Sequence, residues 1–428
     1  MEKYDFYNTS RKQEFELVSK NHPNLPKSIL LKADMVRRGV TFNEGALEMI
    51  REQENDIKLS HTIFFQHHKI DQPELLPADL MLNDGTIVLV CAAPKDNDPY
   101  IIDFIEGKFY VMLDGEGSME EVRCFRKPNY YDKKTSSGEW MKYIGFNTGC
   151  DCILVNPYRH CHYWNDGNQC VFCDMPYNMK FQMKMGRGFK TRCTPEDIYE
   201  TIKEALKQKG KWRHFMFTGG SDPRNEYKRE FEYQLEIVKA INRAGKDMGI
   251  EEIPQWCIAS PFTEEELIQL KKAGLTAFGV FIETWDKENF KHTCPGKEKN
   301  QGYDHFVQTA LKAVKIFGRG NVIVGFVPGV EMMPEPYGFG DDIDKAVSST
   351  LEGYEFLNKN GVAVSGTALT IEPGTTLYKI GATPPPLEFY ARLSEGRLRI
   401  LKKYKLFSKT ACWRHTPYGL SPDVQRYV

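Results

Sequence analysis

The chain lacks any long apolar run. Nowhere in its 428 residues is there a stretch long enough to cross a bilayer, which excludes a helical membrane span. Its start, Met1-Glu-Lys-Tyr-Asp-Phe-Tyr7, has no apolar stretch resembling a signal-peptide core. The cytoplasm is the expected location. An excess of one charge sign is also missing: 57 Lys and Arg stand against 58 acids. That balance excludes an overall basic footprint for nucleic acid. Internal repeats and low-complexity tracts are absent too.

The composition is otherwise that of an ordinary globular protein, at 41% hydrophobic and 27% charged. Its length is enough for two or three domains. Cysteine is the residue that stands out. There are 11, an odd count without an export signal, which argues against a disulfide framework. Five of them, Cys150, Cys152, Cys161, Cys170 and Cys173, fall within one short segment. Thiols that close together in a reducing compartment suggest metal or cluster binding.

The pattern changes along the chain. Residues 1–135 read as an accessory α+β domain, helical to about residue 57 and then strand-rich. Thr86–Cys91, Tyr100–Phe104 and Lys108–Leu113 are β-branched or aromatic runs separated by Gly and Asp, as in antiparallel hairpins. Lys127–Gly138 is polar and turn-rich and reads as a linker. Residues 136–385 alternate short apolar runs with helical patterns. The candidate strands are Tyr143–Asn147, His214–Thr218, Gln255–Ala259, Ala277–Ile282, Val322–Val327 and Ala363–Thr370. Helix starts lie between them. Thr194-Pro-Glu-Asp197 supplies a cap and a first-turn proline, and Thr263-Glu-Glu-Glu266 is a capping-box pattern. Strand–helix alternation implies a parallel sheet covered by helices. The fold class is α/β, with six strands forming a partial (β/α)6 TIM-type barrel. Residues 386–428 are expected to close the barrel as a helix and tail.

The cysteine loop, Asn147 to Pro176, follows the first candidate strand. Loops at strand C-termini build the active site of a parallel barrel. Cys170-Val-Phe-Cys173 lets two thiolates from one tight turn meet the same metal or cluster. With Cys161 the set is C-x8-C-x2-C. Three ligands would leave one iron of a cluster open for chemistry. A zinc site is the alternative, because Cys152, His160, Cys161, His162, Cys170 and Cys173 offer more than four N/S ligands.

A three-cysteine loop after the first strand, ending C-x-aromatic-C, resembles the radical S-adenosylmethionine (SAM) superfamily. The usual family spacing is C-x3-C-x2-C, and this chain inserts His162–Gln169. The resemblance implies an anaerobic, oxygen-sensitive enzyme. Cys161, Cys170 and Cys173 would hold a [4Fe–4S] cluster, and SAM would chelate the open iron and be split reductively to a 5′-deoxyadenosyl radical. Phe172 matches the aromatic that lies beside the adenine.

Downstream, the likeness is to the biotin synthase and lipoyl synthase branch, with one segment per strand. Thr218-Gly-Gly-Ser-Asp222 stands where a Gly-Gly-Glu-like segment contacts the SAM amino group, so Gly219, Gly220 and either Ser221 or Asp222 would serve there. Ser260 ends strand three. Glu283, before Thr284, ends strand four, the alternative being a loop acid paired with Lys287. Val327 lies in the fifth-strand segment Asn321–Glu331, which would pack against adenine. Leu369–Leu377 resembles the Pro-Gly-Thr-x-Leu ending of the sixth.

The resemblance implies hydrogen abstraction from a small-molecule substrate in cofactor or specialised-metabolite biosynthesis, by sulfur insertion, carbon–carbon chemistry or rearrangement. The implied partner is a one-electron donor such as flavodoxin or ferredoxin. A second Fe–S cluster could draw on Cys150, Cys152, Cys294 or Cys412, none of which forms a motif. A zinc-binding hydrolase or zinc-stabilised binding protein is a second reading. A radical SAM modifier of nucleic acid is a third, with Arg123–Lys127 and Tyr130-Tyr131 as a basic–aromatic patch. The insertion carries Tyr163 and Trp164, two aromatics costly to leave in solvent. They are expected to pack either at the barrel mouth or against residues 1–135.

Overall fold

The computed structural model describes residues 4–60, 75–93, 95–113, 119–184 and 190–406, with isolated positions 117, 186 and 427. The N-terminal part holds α1 (Arg11–Asn21), α2 (Lys27–Arg38), β1 (Val40–Phe42) and α3 (Glu44–Glu52). Strands β2 (Asp79–Leu82), β3 (Ile87–Leu89), β4 (Tyr100–Ile105), β5 (Lys108–Met112) and β6 (Met119–Cys124) follow. They form one six-stranded sheet in the order β1-β4-β5-β6-β2-β3, antiparallel except for β1 against β4.

The second part begins with α4 (Met141–Ile144), β7 (Gly145–Thr148) and β8 (Cys152–Val155). Next come α5 (Met175–Lys184), α6 (Pro195–Leu206), β9 (His214–Thr218), α7 (Lys228–Asp247), β10 (Gln255–Ile258) and α8 (Glu264–Lys272). Strand β11 (Ala277–Gly279), α9 (Lys287–Thr293), α10 (Pro295–Asn300), α11 (Tyr303–Phe317) and β12 (Val322–Phe326) continue the alternation. It ends in α12 (Ile343–Lys359), β13 (Ala363–Gly366), α13 (Thr376–Lys379) and α14 (Leu387–Tyr404). The caps read from the sequence are formed. Thr194 accepts from the Asp197 N–H, and Thr263 and Glu266 close a capping box.

Strands β8 to β13 are parallel neighbours in sequence order, with β7 antiparallel at the β8 edge. One face, with Ile153, Phe215, Cys257, Phe278 and Val324, packs on the helices. On the other face Phe146, Cys152, Leu154, Met216, Trp256, Ala277, Ile323 and Ala363 form a separate buried cluster. Those residues come from all seven strands. A sheet buries such a set only when it curls on itself, so this is a half-barrel of six parallel strands. Gly325 leaves room inside it, because a Cβ there would collide with the Phe281 ring.

Two expectations need correction. The first parallel strand is β8, not Tyr143–Asn147. Tyr143 and Ile144 belong to α4, and β7 is the antiparallel half of a hairpin that turns at Gly149 and Cys150. Cys152 therefore sits within a strand and not on the cysteine loop. Lys127–Gly138 is also no solvated linker. Tyr130 and Tyr131 are fully buried, the Tyr130 hydroxyl donating to the Gly145 carbonyl and the Tyr131 hydroxyl accepting from the Asn147 N–H. Those rings offer no stacking surface to a nucleic acid.

The two sheets are joined at the lower end of the barrel. The buried Lys58 ammonium reaches both Asp79 and the Gly149 carbonyl, and the Gly149 N–H returns to Asp79. Helix α14 lies beside α12 and α2, with the Leu387 N–H donating to Glu14. Cys412 and most of the tail expected at the mouth lie outside the described residues. Among the described residues no helix is long and apolar enough to cross a membrane.

Candidate active site

A cavity of about 320 Å³ opens at the C-terminal ends of the parallel strands. That size is within the range of small-ligand pockets. All eleven residues singled out in the sequence line it: Cys161, Cys170, Phe172 and Cys173 from the loop after β8, Thr218, Gly219, Gly220 and Ser221 after β9, then Ser260, Glu283 and Val327. Leu369, Thr370 and Glu372 close the side after β13.

The glycine pair has a packing reason. The Gly220 N–H donates to the Tyr158 carbonyl, and the His162 N–H donates to that of Ser221. The strand end and the start of the cysteine loop thus run side by side. A Cβ at Gly219 would lie 2.6 Å from the Tyr158 carbonyl oxygen, and one at Gly220 would strike the His160 carbonyl. Only glycine permits that approach. The loop's far half is tied to the next segments. The Val171 N–H donates to Thr293, the Gly296 N–H to Asn168 and the Leu377 N–H to Val171.

The three thiols face one another across the cavity. Burial pushes the Cys161 thiol up to about 11, with Cys170 adding to the rise. Cys170 is raised first by a bond with the neighbouring Cys294 thiol and then by burial. Burial also raises Cys173, and Cys170 and Cys161 reinforce it. Neutral thiols are what this pocket favours without compensating positive charge, and iron supplies that charge. Backbone donors already point at the sulfurs: Ser221 and Tyr163 at Cys161, and Met175, the first residue of α5, at Cys173. Such amide–sulfur bonds suit a cluster. The donor set therefore fits a three-thiolate Fe–S centre.

Zinc would need a different gathering. Cys152 lies inside the lower barrel. His162 is bonded to the Tyr158 hydroxyl, and neither His160 nor His162 lines the cavity. The four extra thiols do not converge either. Cys150 and Cys152 are at the barrel's lower end, Cys294 is against Cys170 at the upper end, and Cys412 is outside the described residues.

Ser221, not Asp222, faces the cavity. Asp222 is turned to Arg224, which holds its carboxyl below the usual range against the opposing effect of burial. Glu283 stands at the cavity wall in the left-handed region, at φ 68°. Its N–H donates to Gly325 and its carbonyl accepts from Val327, so the sheet fixes this strained conformation. Its partner is Lys297, with Nζ 2.5 Å from Oε1, whereas Lys287 pairs with Asp304. Glu331 is fully buried, bonded to the Gly329 N–H, and absent from the cavity wall.

Lys297 and Glu230 are among the wall residues that sequence reasoning missed. Lys297 lies in α10 and also donates to the Phe281 carbonyl. Glu230 lies in α7 and accepts from the N–H groups of Ser260 and Asp222 and from the Ser260 hydroxyl. Burial pushes Glu230 up to about 7. Neither carries a local signal: one sits in a Lys-Glu-Lys run, the other among surface-like acids. The insertion turns one residue inward, whereas Asn165, Asp166 and Gly167 are exposed and Trp164 is half-buried. Tyr163 is buried at the cavity, its hydroxyl 2.8 Å from that of Tyr227 and its ring against Gly296.

Residues 155–332, from the end of β8 to just past β12, match the family model described as the Radical SAM superfamily. Those residues form a radical SAM domain. Enzymes of this superfamily use a [4Fe–4S] cluster and SAM. The match is to the superfamily and does not select the biotin synthase or lipoyl synthase branch. Among solved structures, the chain is similar to methylornithine synthase (PylB), at 19% identity over 61% of this chain and 65% of that one, with a TM-score of 0.42. It is also similar to HydG, a maturase of the [FeFe]-hydrogenase, at 17% identity over 63% and 53%, with a TM-score of 0.43. A radical SAM methyltransferase from Sphaerobacter thermophilus matches at 12% identity over 94% and 93%, with a TM-score of 0.41. The chain thus spans 65% of the first of these proteins and 53% of the second. No curated protein matches it.

Proposed function

We propose that this radical SAM enzyme holds its [4Fe–4S] cluster through Cys161, Cys170 and Cys173 and abstracts hydrogen from a small molecule admitted at the barrel mouth. The supporting observation is that these thiols share one cavity with Phe172, Gly219, Ser221, Ser260, Glu283 and Val327. The bound cluster and SAM together supply a 5′-deoxyadenosyl radical.

The chain's own residues position and shield that chemistry. The Ser260 hydroxyl donates to Glu230 and accepts from the Ser221 hydroxyl, which makes a polar strip along one wall. We assign this strip, with the backbone of Gly219 and Gly220, to the amino group of SAM. The Glu283–Lys297 pair presents both signs of charge beyond the end of the next strand, β11, and is assigned to the ribose hydroxyls and the carboxylate. Phe172, Val327 and Leu369 offer apolar surface for adenine. Tyr163 and Phe281 exclude water from the interior, which protects a reactive species from side reactions.

The reaction class is hydrogen abstraction that leads to sulfur insertion, carbon–carbon bond chemistry or rearrangement in small-molecule biosynthesis. The test is anaerobic incubation of the reduced protein with SAM, followed by chromatography. The expected result is 5′-deoxyadenosine and methionine in equal amounts. Unaltered SAM with a fully loaded, reduced cluster would overturn the proposal.

A further inference from the structure

A lysine-bearing apolar patch wraps the outside of the cysteine turn. Helix α5 begins at Met175, two positions after Cys173, and its first N–H points at the Cys173 sulfur. It buries Met175, Asn178 and Gln182 and exposes Tyr177, Lys180, Met183 and Lys184. Helix α13 adjoins it, because Gly374 packs against Tyr177 with no room for a Cβ. Its Tyr378, Lys379 and Ile380 are exposed, and Leu377 is bonded to Val171 between the two cysteines of the turn.

Two features set this patch apart. Four of the ten large hydrophobic residues exposed among the described residues lie here: Tyr177 at 43%, Met183 at 54%, Tyr378 at 53% and Ile380 at 47%. Scattered exposed apolar residues are ordinary, whereas a contiguous group beside a reaction centre marks an interaction surface. Its charge is also one-sided in a chain whose net charge is only -1. Residues 175–184 and 373–387 contain three lysines and no acid. Among the described residues no carboxylate pairs with Lys180, Lys184 or Lys379.

From this placement we infer that α5 and α13 form the docking surface for a small acidic one-electron carrier protein. The inference rests on the proposed cluster ligands. The lysines steer an acidic partner, and the exposed Tyr and Met side chains supply contact area of the kind enriched at interfaces. A small, transient contact suits electron transfer. The carrier gives up one electron and the cluster accepts it, with no bond made or broken. The route in is short, through the first turn of α5 to Cys173.

The test uses the cluster-loaded enzyme and a reduced acidic flavodoxin as the probe. The Lys180→Glu, Lys184→Glu, Lys379→Glu variant is compared with the unaltered chain. Cluster reduction is followed by stopped-flow bleaching near ~400 nm, and flavodoxin binding by anaerobic calorimetry. Charge reversal is expected to slow reduction by flavodoxin at least ~10-fold at low salt, to weaken binding in parallel and to abolish the salt dependence. Reduction by dithionite is expected to stay at the normal rate. An unchanged flavodoxin rate, or an equal slowing with dithionite, would overturn the inference. So would a loss of self-association with flavodoxin binding intact, which would make the patch a contact between copies. Failure of dithionite to reduce the unaltered protein would instead count against the cluster assignment.

Discussion

Lys297 and Glu283 meet at the cavity wall, Nζ to Oε1 at 2.5 Å, with only 13% and 11% of their side chains exposed. Lys297 is bound at the same time to the Phe281 carbonyl. The carboxylate is thereby held in place at the cavity, just past a strand, with its backbone fixed by hydrogen bonds to Gly325 and Val327. Glu283→Gln keeps the shape and removes the charge. We predict that it raises the Kd for SAM by roughly 10- to 100-fold, the worth of one charged hydrogen bond. Iron content is expected to be unchanged. Equilibrium binding and iron analysis on the same preparation check both halves.

The cysteines separate by location. Cys161→Ala, Cys170→Ala or Cys173→Ala is predicted to abolish SAM cleavage and the broad absorption near ~400 nm, since a methyl group cannot ligate iron. Cys150→Ala, at the lower end of the barrel, is predicted to keep both. Full cleavage in any of the first three variants would remove that cysteine from the ligand set.

Gly220 reports on the loop. A Cβ there would strike the His160 carbonyl and lie 2.5 Å from Cys161 Cα. Gly220→Ala is predicted to destabilise the fold by roughly 1–3 kcal/mol through overpacking. Cluster loading should fall with it, because the loop carries Cys161. Normal loading in a variant with normal stability would show that the strand end does not position the cysteine.

Much of this site was legible because it follows strand ends. Glu283, Ser260 and Gly219 each stand directly after an apolar run, and a parallel sheet carries such positions to one rim. Strand β8 was not legible, because Cys152–Val155 is four residues long and lies between cysteines that invite a loop reading. Glu230 and Lys297 project from helices packed behind the rim. Their side chains reach the cavity only through tertiary packing, which no local pattern encodes. The six parallel strands were correct in number, and the first was displaced by one element.

Glu230 gives a pH signature. Its carboxyl is pushed from 4.5 to about 7 by burial. A carboxyl raised on folding contributes stability that is complete below its unfolded value and is lost as pH rises through its folded value. Glu331, also pushed up to about 7 by burial, acts in the same direction. Stability is predicted to fall between about pH 5 and about pH 8, by on the order of 1–3 kcal/mol for each group. Glu230→Gln should flatten part of that slope, and Glu331→Gln the rest. Thermal denaturation at both pH values reads this directly, and a slope identical to that of the unaltered protein would show that Glu230 stays ionised.

Three thiols of one loop are proposed to hold an open-sited iron–sulfur cluster. Anaerobic reconstitution with iron and sulfide, followed by iron analysis and electron paramagnetic resonance of the reduced protein with and without SAM, tests it most directly. About four iron atoms per chain are expected, as the [4Fe–4S] stoichiometry requires, with a signal that shifts when SAM is added. A single tightly bound metal ion per chain, or a four-iron signal indifferent to SAM, would contradict it.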